Sequence, residues 1–321
     1  MTEAIRLGGF KVLKGVARFS LIIPEKSGIT PALLLRSIAE RKINLPYLTS
    51  FHKDGHWGLN LLVETGKGLQ TSLIIEEVVG KPCEHTSECV VFSIFPHKKD
   101  PLILCNLIDA FKDNSVKPEA LAISPSAISV VLQEKDLERA SASLFGPFSF
   151  SAYRTPEDWK LAQEGKEEIY KEVIATYQES RPKVYGLEYY EEQEIEHIDF
   201  QSKSISATEC FMKVGPNERI LTFSASYPAP DHQEEILGIC ISGISGSGNP
   251  GNIVFSMNGP HFGDRYGICF EMMESLENNG VYLLGLSCTI ASITGVVNIN
   301  NLENTIEGIK DCFDVPVVVK K

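Results

Sequence analysis

This chain repeats itself, and that constrains its architecture more than any other feature. Val91-Phe92-Ser93 returns as Val254-Phe255-Ser256, and Pro96-His97 with Asp100 returns as Pro260-His261 with Asp264, one residue having been inserted between the two motifs. Further on the spacing is a constant 165: Asn114 recurs as Asn279, Val116 as Val281, Ile128 as Ile293, Val131 as Val296, Leu137 as Leu302 and Glu138 as Glu303. Self-similarity at a fixed long period marks a duplicated structural unit. The 321 residues are therefore expected to hold two copies of a unit about half their length.

Each copy reads as two smaller units. In the first, Ala17–Ile23 alternates like a strand closed by Pro24, and Pro31–Arg41 places Leu34, Leu35 and Ile38 at helical spacing. Tyr47–His52 and Trp57–Val63 read as strands joined by a Lys-Asp-Gly-His turn, Leu69–Val79 as a helix stopped by Gly80, and Cys83–Ser87 as a closing strand. The order is β-α-β-β-α-β, a ferredoxin-like split unit. The second unit repeats it: strand Cys89–Phe95, helix Pro101–Lys112, strands Ala120–Ile123 and Ala127–Leu132, helix Leu137–Phe145 with Asp136 as N-cap, and closing strand Phe148–Tyr153. The fourth repeats it again: strand Ile253–Met257, helix Gly267–Asn278, strands Val281–Ser287 and Ser292–Asn298, helix Leu302–Cys312 and final strand Val315–Val319. The third is weakly written: Val184–Tyr190 as first strand, Thr208–Val214 and Ile220–Ser226 as a hairpin, and a helix from Asp231 to Gly238, while Glu191–Ile205 lacks helical period. Pro156–Glu179, opened by Thr155-Pro156-Glu157, reads as a long linking helix. The expected α+β fold is thus four ferredoxin-like units with antiparallel sheets: 12–88, 89–154, a linking helix 155–181, a degenerate unit 182–250, and 251–321.

Composition sets outer limits. A net charge of −12 argues against a reader of nucleic-acid phosphates, and no run approaches the ~18 apolar residues of a membrane span. The start of the chain has no apolar signal core, and its eight cysteines form no Cys-x-x-Cys; several sit in apolar runs, so a reducing, cytoplasmic setting is expected.

Several segments resemble the ACT domain family, most closely the paired regulatory ACT domains of aspartokinases. Ile22-Ile23-Pro24-Glu25-Lys26-Ser27-Gly28-Ile29 is similar to the first ACT strand and its ligand loop, and Ile38-Ala39-Glu40 with Ile43-Asn44 to the helix-to-strand signature. Ile123–Val131 followed by Lys135–Ala140 resembles the end of an aspartokinase regulatory region. Repeats and linker occupy the length, so no amino-acid kinase domain is expected. The family's Asp-x-Pro-Gly loop is altered to Glu25-Lys26-Ser27-Gly28, to Lys98-Lys99-Asp100-Pro101 in the second unit, and to Gly263-Asp264-Arg265-Tyr266-Gly267 in the fourth. The second unit, lacking the glycine, is not expected to bind through its loop.

The resemblance implies an amino-acid ligand at an interface between units. Its carboxylate wants backbone N–H groups at a glycine turn opening a helix, which Gly28-Ile29 and Gly267-Ile268 would supply. Its ammonium wants an acceptor, for which Asn44 and Asp264 are the choices. The loops add Glu25, Ser27, Gly263 and Arg265, and the opposite strand edge adds Thr49 and Ser50, with Ser124 and Ser126 at the analogous place in the second unit. The bland reading of each is a turn or cap residue: Asp264 as a helix cap, Asn44 as a left-handed turn.

Other motifs fail on context. Gly246-Ser247-Gly248-Asn249-Pro250-Gly251 matches a dinucleotide loop, yet strand-like Ile253-Val254-Phe255 follows where a helix is needed. His52 and His56 lie in a hairpin without carboxylate partners, so neither a metal nor any other cofactor is expected. The paired Pro-His motifs read as loop anchors, and acidic Glu188–Glu196 as a solvated surface. The expected function is non-catalytic: an amino-acid sensor, with a detached regulatory subunit or an interaction scaffold as alternatives. Its partners would be a small-molecule amino acid, a regulated enzyme and a second copy in a homodimer; no nucleic acid or membrane is expected.

Overall fold

A computed structural model describes residues 4–83, 85–163, 181–193, 223–226, 251–259, 262, 265–289 and 292–321. The chain begins β1 (Ile5–Leu7), β2 (Gly9–Pro24), α1 (Pro31–Glu40), β3 (Tyr47–Lys53), β4 (His56–Glu64), α2 (Gly68–Val79) and β5 (His85–Phe95). It continues α3 (Pro101–Asp113), β6 (Ala120–Ile123), β7 (Ile128–Gln133), α4 (Leu137–Ser143), β8 (Phe148–Phe150) and α5 (Pro156–Gln163). The later elements are β9 (Leu187–Gln193), β10 (Phe223–Ser226), β11 (Asn252–Asn258), α6 (Ile268–Asn278), β12 (Leu283–Thr289), β13 (Ser292–Asn298), α7 (Leu302–Cys312) and β14 (Val318–Lys320).

Local chemistry explains many of these boundaries. Thr30 caps α1 by accepting the Leu33 N–H at 3.2 Å, with Pro31 as first helical residue. Asp100 caps α3 in the same way, accepting from Leu102 N–H at 2.9 Å. The β3–β4 turn places Asp54 (φ 51) and Gly55 (φ 73) in the left-handed region, as a two-residue hairpin of that twist requires. Thr155 and Asp158 cap α5 reciprocally: Thr155 Oγ1 accepts from Asp158 N–H at 3.1 Å, and the Asp158 carboxylate accepts from Thr155 N–H at 3.1 Å. Asp136 is no N-cap. It lies in a 3-10 turn, and its carboxylate holds Arg139 instead, because Glu134–Asp136 already winds the chain into α4.

The fold is α+β, with one large, mostly antiparallel sheet and seven helices among the described residues. The strand order is β10-β6-β7-β5-β2-β4-β3-β12-β13-β11-β9-β14. The closing strands differ from the sequence reading. Cys83–Ser87 and Cys89–Phe95 are not two strands, since β5 runs unbroken through both. Its first residues pair with the second half of β2 (Phe19 opposite His85), and its last with the first half (Gly9 opposite Phe95). The place expected for Phe148–Tyr153 beside β5 is thus taken by residues Gly9–Leu13, and β8 pairs in parallel with β1 alone. Phe10 explains the exchange: it is 1% exposed, stacks on Phe92 at 4.9 Å and on Trp159 at 4.8 Å, and meets Phe150 edge-on at 5.1 Å. Burying one such ring is worth about 2–3 kcal/mol, enough to draw the N-terminal strand into the second unit's sheet.

The second half repeats the device. β9, expected to open the third unit, lies antiparallel to β11 with Tyr189 opposite Phe255. β14, expected beside β11, pairs in parallel with β9. The duplication is therefore present in the topology as well as in the residues: β8 lies on β1 as β14 lies on β9. The linking helix is described only as α5. The Thr208–Val214 strand and the Asp231–Gly238 helix lie outside the described residues, and of the hairpin only β10 is described, paired with β6.

The sheet bends back on itself. In a flat sheet β7 and β13, six positions apart, would be separated by roughly 29 Å at ~4.8 Å per step. Yet Ser126 Oγ, in the β6–β7 turn, is 3.4 Å from Ser292 Oγ at the start of β13. Lys99, just beyond β5, lies over the Tyr190 ring of β9 at 4.4 Å. The enclosed face carries buried polar groups. Arg18 donates to Asn60 Oδ1 (2.8 and 3.2 Å) and to Glu119 (3.0 Å), and Ser93 meets Ser129 at 2.8 Å. The same face also holds a small apolar cluster that includes Val16, Tyr47 and Val91, while the opposite face carries the two large apolar cores.

Candidate functional site

The segments that the sequence reads as the first and fourth units, here so called, are joined edge to edge. β3 pairs antiparallel with β12, Thr49 opposite Ser287 and Leu48 opposite Cys288. On the helical face α1 packs against α6 and one apolar core runs through both, including Leu34, Leu35, Ile38, Ile268, Met272 and Leu286. Arg36 of α1 binds Glu274 of α6, and its guanidinium lies over Phe270 at 5.4 Å. In both units the loop between first strand and first helix approaches the neighbouring unit, so the junction has two ends of matching construction.

At the first end, the loop after β2 is closed upon itself. Gly28 (φ 72) donates its N–H to Glu25 O at 3.1 Å. Ser27 Oγ donates to Pro24 O at 2.6 Å and accepts from Ile29 N–H at 3.2 Å. Both backbone donors expected for a ligand carboxylate are therefore engaged within the loop. The Glu25 carboxylate instead receives Tyr282 from the fourth unit (O–H to Oε1, 3.4 Å) and lies 3.3 Å from His52 Nε2. His52, Trp57 and Tyr282 form a three-ring cluster with centroids 4.9–5.4 Å apart. Burial, with the Glu25 charge second, pushes the Tyr282 phenol up to about 12.

The second end is open. A cleft of about 280 Å3, its mouth included, lies between α1 with the segment after it (Leu35, Ile38, Ala39, Ile43, Leu45) and the fourth unit's loop and α6 (Phe262, Arg265, Gly267, Ile268, Cys269, Phe270). Its enclosed part has room for about one water. Gly267 (φ 87) turns the chain into α6 with the left-handed geometry that favours glycine, and a Cβ there would lie 3.6 Å from Ala39 Cβ and from Glu271 Oε1. Arg265 Nη2 donates to both Glu271 oxygens, at 3.0 and 3.2 Å. Its Nη1 is buried and has no hydrogen-bond partner among the described residues. Burial pushes the Glu271 carboxyl upward, and the Arg265 charge partly offsets this. Deeper in, the Cys288 thiol is pushed well up, first by its hydrogen bond with Cys269 and then by burial.

Of the residues singled out in the sequence, Arg265, Gly267 and Ile268 meet at this second end, with half-buried Asn44 between two lining residues. Glu25, Ser27, Gly28 and Ile29 gather at the first. Gly263 and Asp264, and with them Pro260-His261, lie outside the described residues. Thr49 is buried on the enclosed face of the sheet, away from the cleft, and Ser50 is buried beside it in β3. Ser124 closes the β6–β7 turn through Ala127 (N–H to Oγ, 3.2 Å), and Ser126 reaches Ser292.

The second unit's loop is occupied by its own parts. His97, 2% exposed, sits 2.6 Å from Ser124 O through Nε2 and accepts the Lys99 N–H at Nδ1 (3.0 Å), while Lys99 covers Tyr190. Burial holds the His97 imidazole below its ordinary value. His56 bonds Asp54 O, and among the described residues no three His, Cys, Asp or Glu side chains cluster as metal ligands. The described cysteines are free thiols, and Gly251 leads into β11. In the acidic segment, Glu188 and Glu191 hold Lys321 and Lys320. No helix among the described residues is long and apolar enough to cross a membrane. Glu271 and Tyr282 were missed in the sequence. A glutamate in a helix's first turn and a tyrosine before a strand carry no local signal of a partner in another element.

No protein-family model matches the chain, and no curated protein matches it in sequence. Solved structures do match. An aspartate kinase from Synechocystis aligns over 96% of this chain and 56% of its own at 15% identity, with a TM-score of 0.71. The regulatory subunit of aspartate kinase from Thermus thermophilus, in its ligand-free form, aligns over 44% of this chain and 99% of its own at 20% identity, with a TM-score of 0.40. The first of these sets the fold, and this chain spans little more than half of that protein's length. In fold this chain is thus similar to an aspartate kinase chain, in keeping with the tandem ACT arrangement that its sequence resembles.

Proposed function

We propose that the chain is a non-catalytic regulatory protein of the cytoplasm whose first and fourth units bind an amino acid between them at the open end of their junction. One observation carries the reading: the cleft lies between units rather than inside one, bounded by α1 on one side and the Arg265–Ile268 turn on the other. A ligand there touches both units and stabilises one arrangement of them, and a coupling of ~1–3 kcal/mol suffices to regulate a partner. No cofactor enters the proposal.

The test is a thermal-shift screen of the purified chain against the twenty amino acids, with calorimetry on any hit. A ligand at 100 times its Kd adds about 2.7 kcal/mol of stability, a readable rise in Tm. Absence of any shift or heat sinks the reading. A detached regulatory subunit is the second reading. It predicts that a separate catalytic chain co-purifies with this one and that the hit ligand changes that chain's rate. Sizing by light scattering, with and without the ligand, reads whether a homodimer is the regulated form.

A further inference from the structure

Resting on the reading that the junction binds an amino acid, we propose that Arg265 and Glu271 form its head-group clamp, and that the ligand carries a short branched aliphatic side chain. The clamp is half engaged. Arg265 meets Glu271 through Nη2 alone, one nitrogen spanning both carboxylate oxygens, and leaves Nη1 buried without an acceptor among the described residues. A buried donor left unpaired is costly, and a ligand carboxylate is the acceptor that satisfies it with charge assistance. Glu271, paired with Arg265 at 3.0 Å and with Oε1 3.6 Å from the Cβ position of the lining residue Gly267, is the complementary acceptor for an ammonium. Opposite charges 3.0 Å apart match the opposite charges of an α-amino acid, held a few ångströms apart.

The walls decide the side chain. Apart from Arg265, the lining is Leu35, Ile38, Ala39, Ile43, Leu45, Phe262, Ile268, Cys269, Phe270 and Gly267, none of them charged. A lysine or arginine ligand would bury its cation without a counter-charge, and an aspartate would set a second carboxylate against aliphatic walls. The enclosed room holds about one water, so the cleft must open to admit any side chain, and a short aliphatic group asks for less opening than an aromatic ring. This mode differs from capture by loop amides, which at the first end are already engaged by Glu25 O and Ser27 Oγ.

The experiment is calorimetry on the full chain with valine, leucine and isoleucine, set against lysine, aspartate and phenylalanine. Two head-group-deleted probes are added: 4-methyl-2-oxopentanoate, without the ammonium, and 3-methylbutylamine, without the carboxylate. The expected result is binding of at least one aliphatic amino acid, at least about tenfold weaker binding of both deleted probes, and a similar loss in Arg265→Met and Glu271→Gln. Preference for a charged or aromatic amino acid, equal binding of either deleted probe, or aliphatic binding unchanged by Arg265→Met overturns the inference while leaving the junction reading in place. No heat with any of the twenty amino acids overturns both. If circular dichroism finds Arg265→Met unfolded, the deleted probes on the unaltered chain decide the matter.

Discussion

The two ends of the junction are built from the same strand–loop–helix corner and have come to opposite chemistry. At the first end a carboxylate, Glu25, is plugged by His52 and by Tyr282 from the other unit, and the loop's amides bond within the loop. At the second a guanidinium, Arg265, stands over an apolar cleft with one nitrogen unpaired among the described residues. The difference teaches that duplication supplies a site's frame, while a few side chains decide whether it stays open. Tyr282 is the decisive residue at the closed end, since it brings a ring and a donor to the place a ligand would occupy.

Predictions that break or sharpen this comparison run from large to small. Arg18→Met removes the buried cation that Asn60 and Glu119 share, and should cost about 3 kcal/mol, read as a lowered urea midpoint; both ends should fail together, because both hang on β2 and its neighbours. Gly28→Ala and Gly267→Ala each force a side chain into left-handed geometry and should each cost about 1 kcal/mol by thermal unfolding. Ligand heat separates them: it should hold in Gly28→Ala and fall in Gly267→Ala, whose new methyl stands 3.6 Å from Glu271.

The pH response has a defined sign. The buried His97 imidazole is held below its ordinary value of 6.5, so the folded chain binds fewer protons than the unfolded one; stability is retained above that value and is lost as pH falls below it. In His97→Gln that loss should flatten, as read by denaturant midpoints measured on both sides of pH 6.5. Smallest is Glu25→Gln, which should change stability by no more than about 0.5 kcal/mol, because the carboxylate is half-exposed. Its signature is spectroscopic: the Tyr282 phenol, pushed up to about 12, should titrate lower once the nearby negative charge is gone.

Much of the fold was legible in the sequence, element by element. Alternation gave the second half of β2, strand-like runs gave β3 and β4, three-to-four spacing gave α1, the repeated order gave α3 and β7, and Gly80 and Asp54-Gly55 marked a stop and a turn that the structure contains. What could not be read was which strands lie side by side. A run such as Gly9–Leu13 shows that it is extended, but only Phe92, Phe150 and Trp159, far along the chain, tell it where to lie. The site divides in the same manner. Gly267 and Arg265 stood in a recognisable loop, whereas Tyr282 gains its meaning from Glu25, at the opposite end of the sequence.

The exchange of closing strands has a consequence for how the chain is made. A strand completed within the first dozen or so residues emerges long before its neighbour β5, and its aromatic partners Phe150 and Trp159 come later still. During synthesis Phe10 must wait, uncovered, while the whole first unit is built and folded in between. Contacts of such sequence separation are slow to close and leave a sticky edge exposed meanwhile. The nested order also means that a cut near residue 88 would not release two intact pieces: it would sever β5, the strand that each unit borrows from the other.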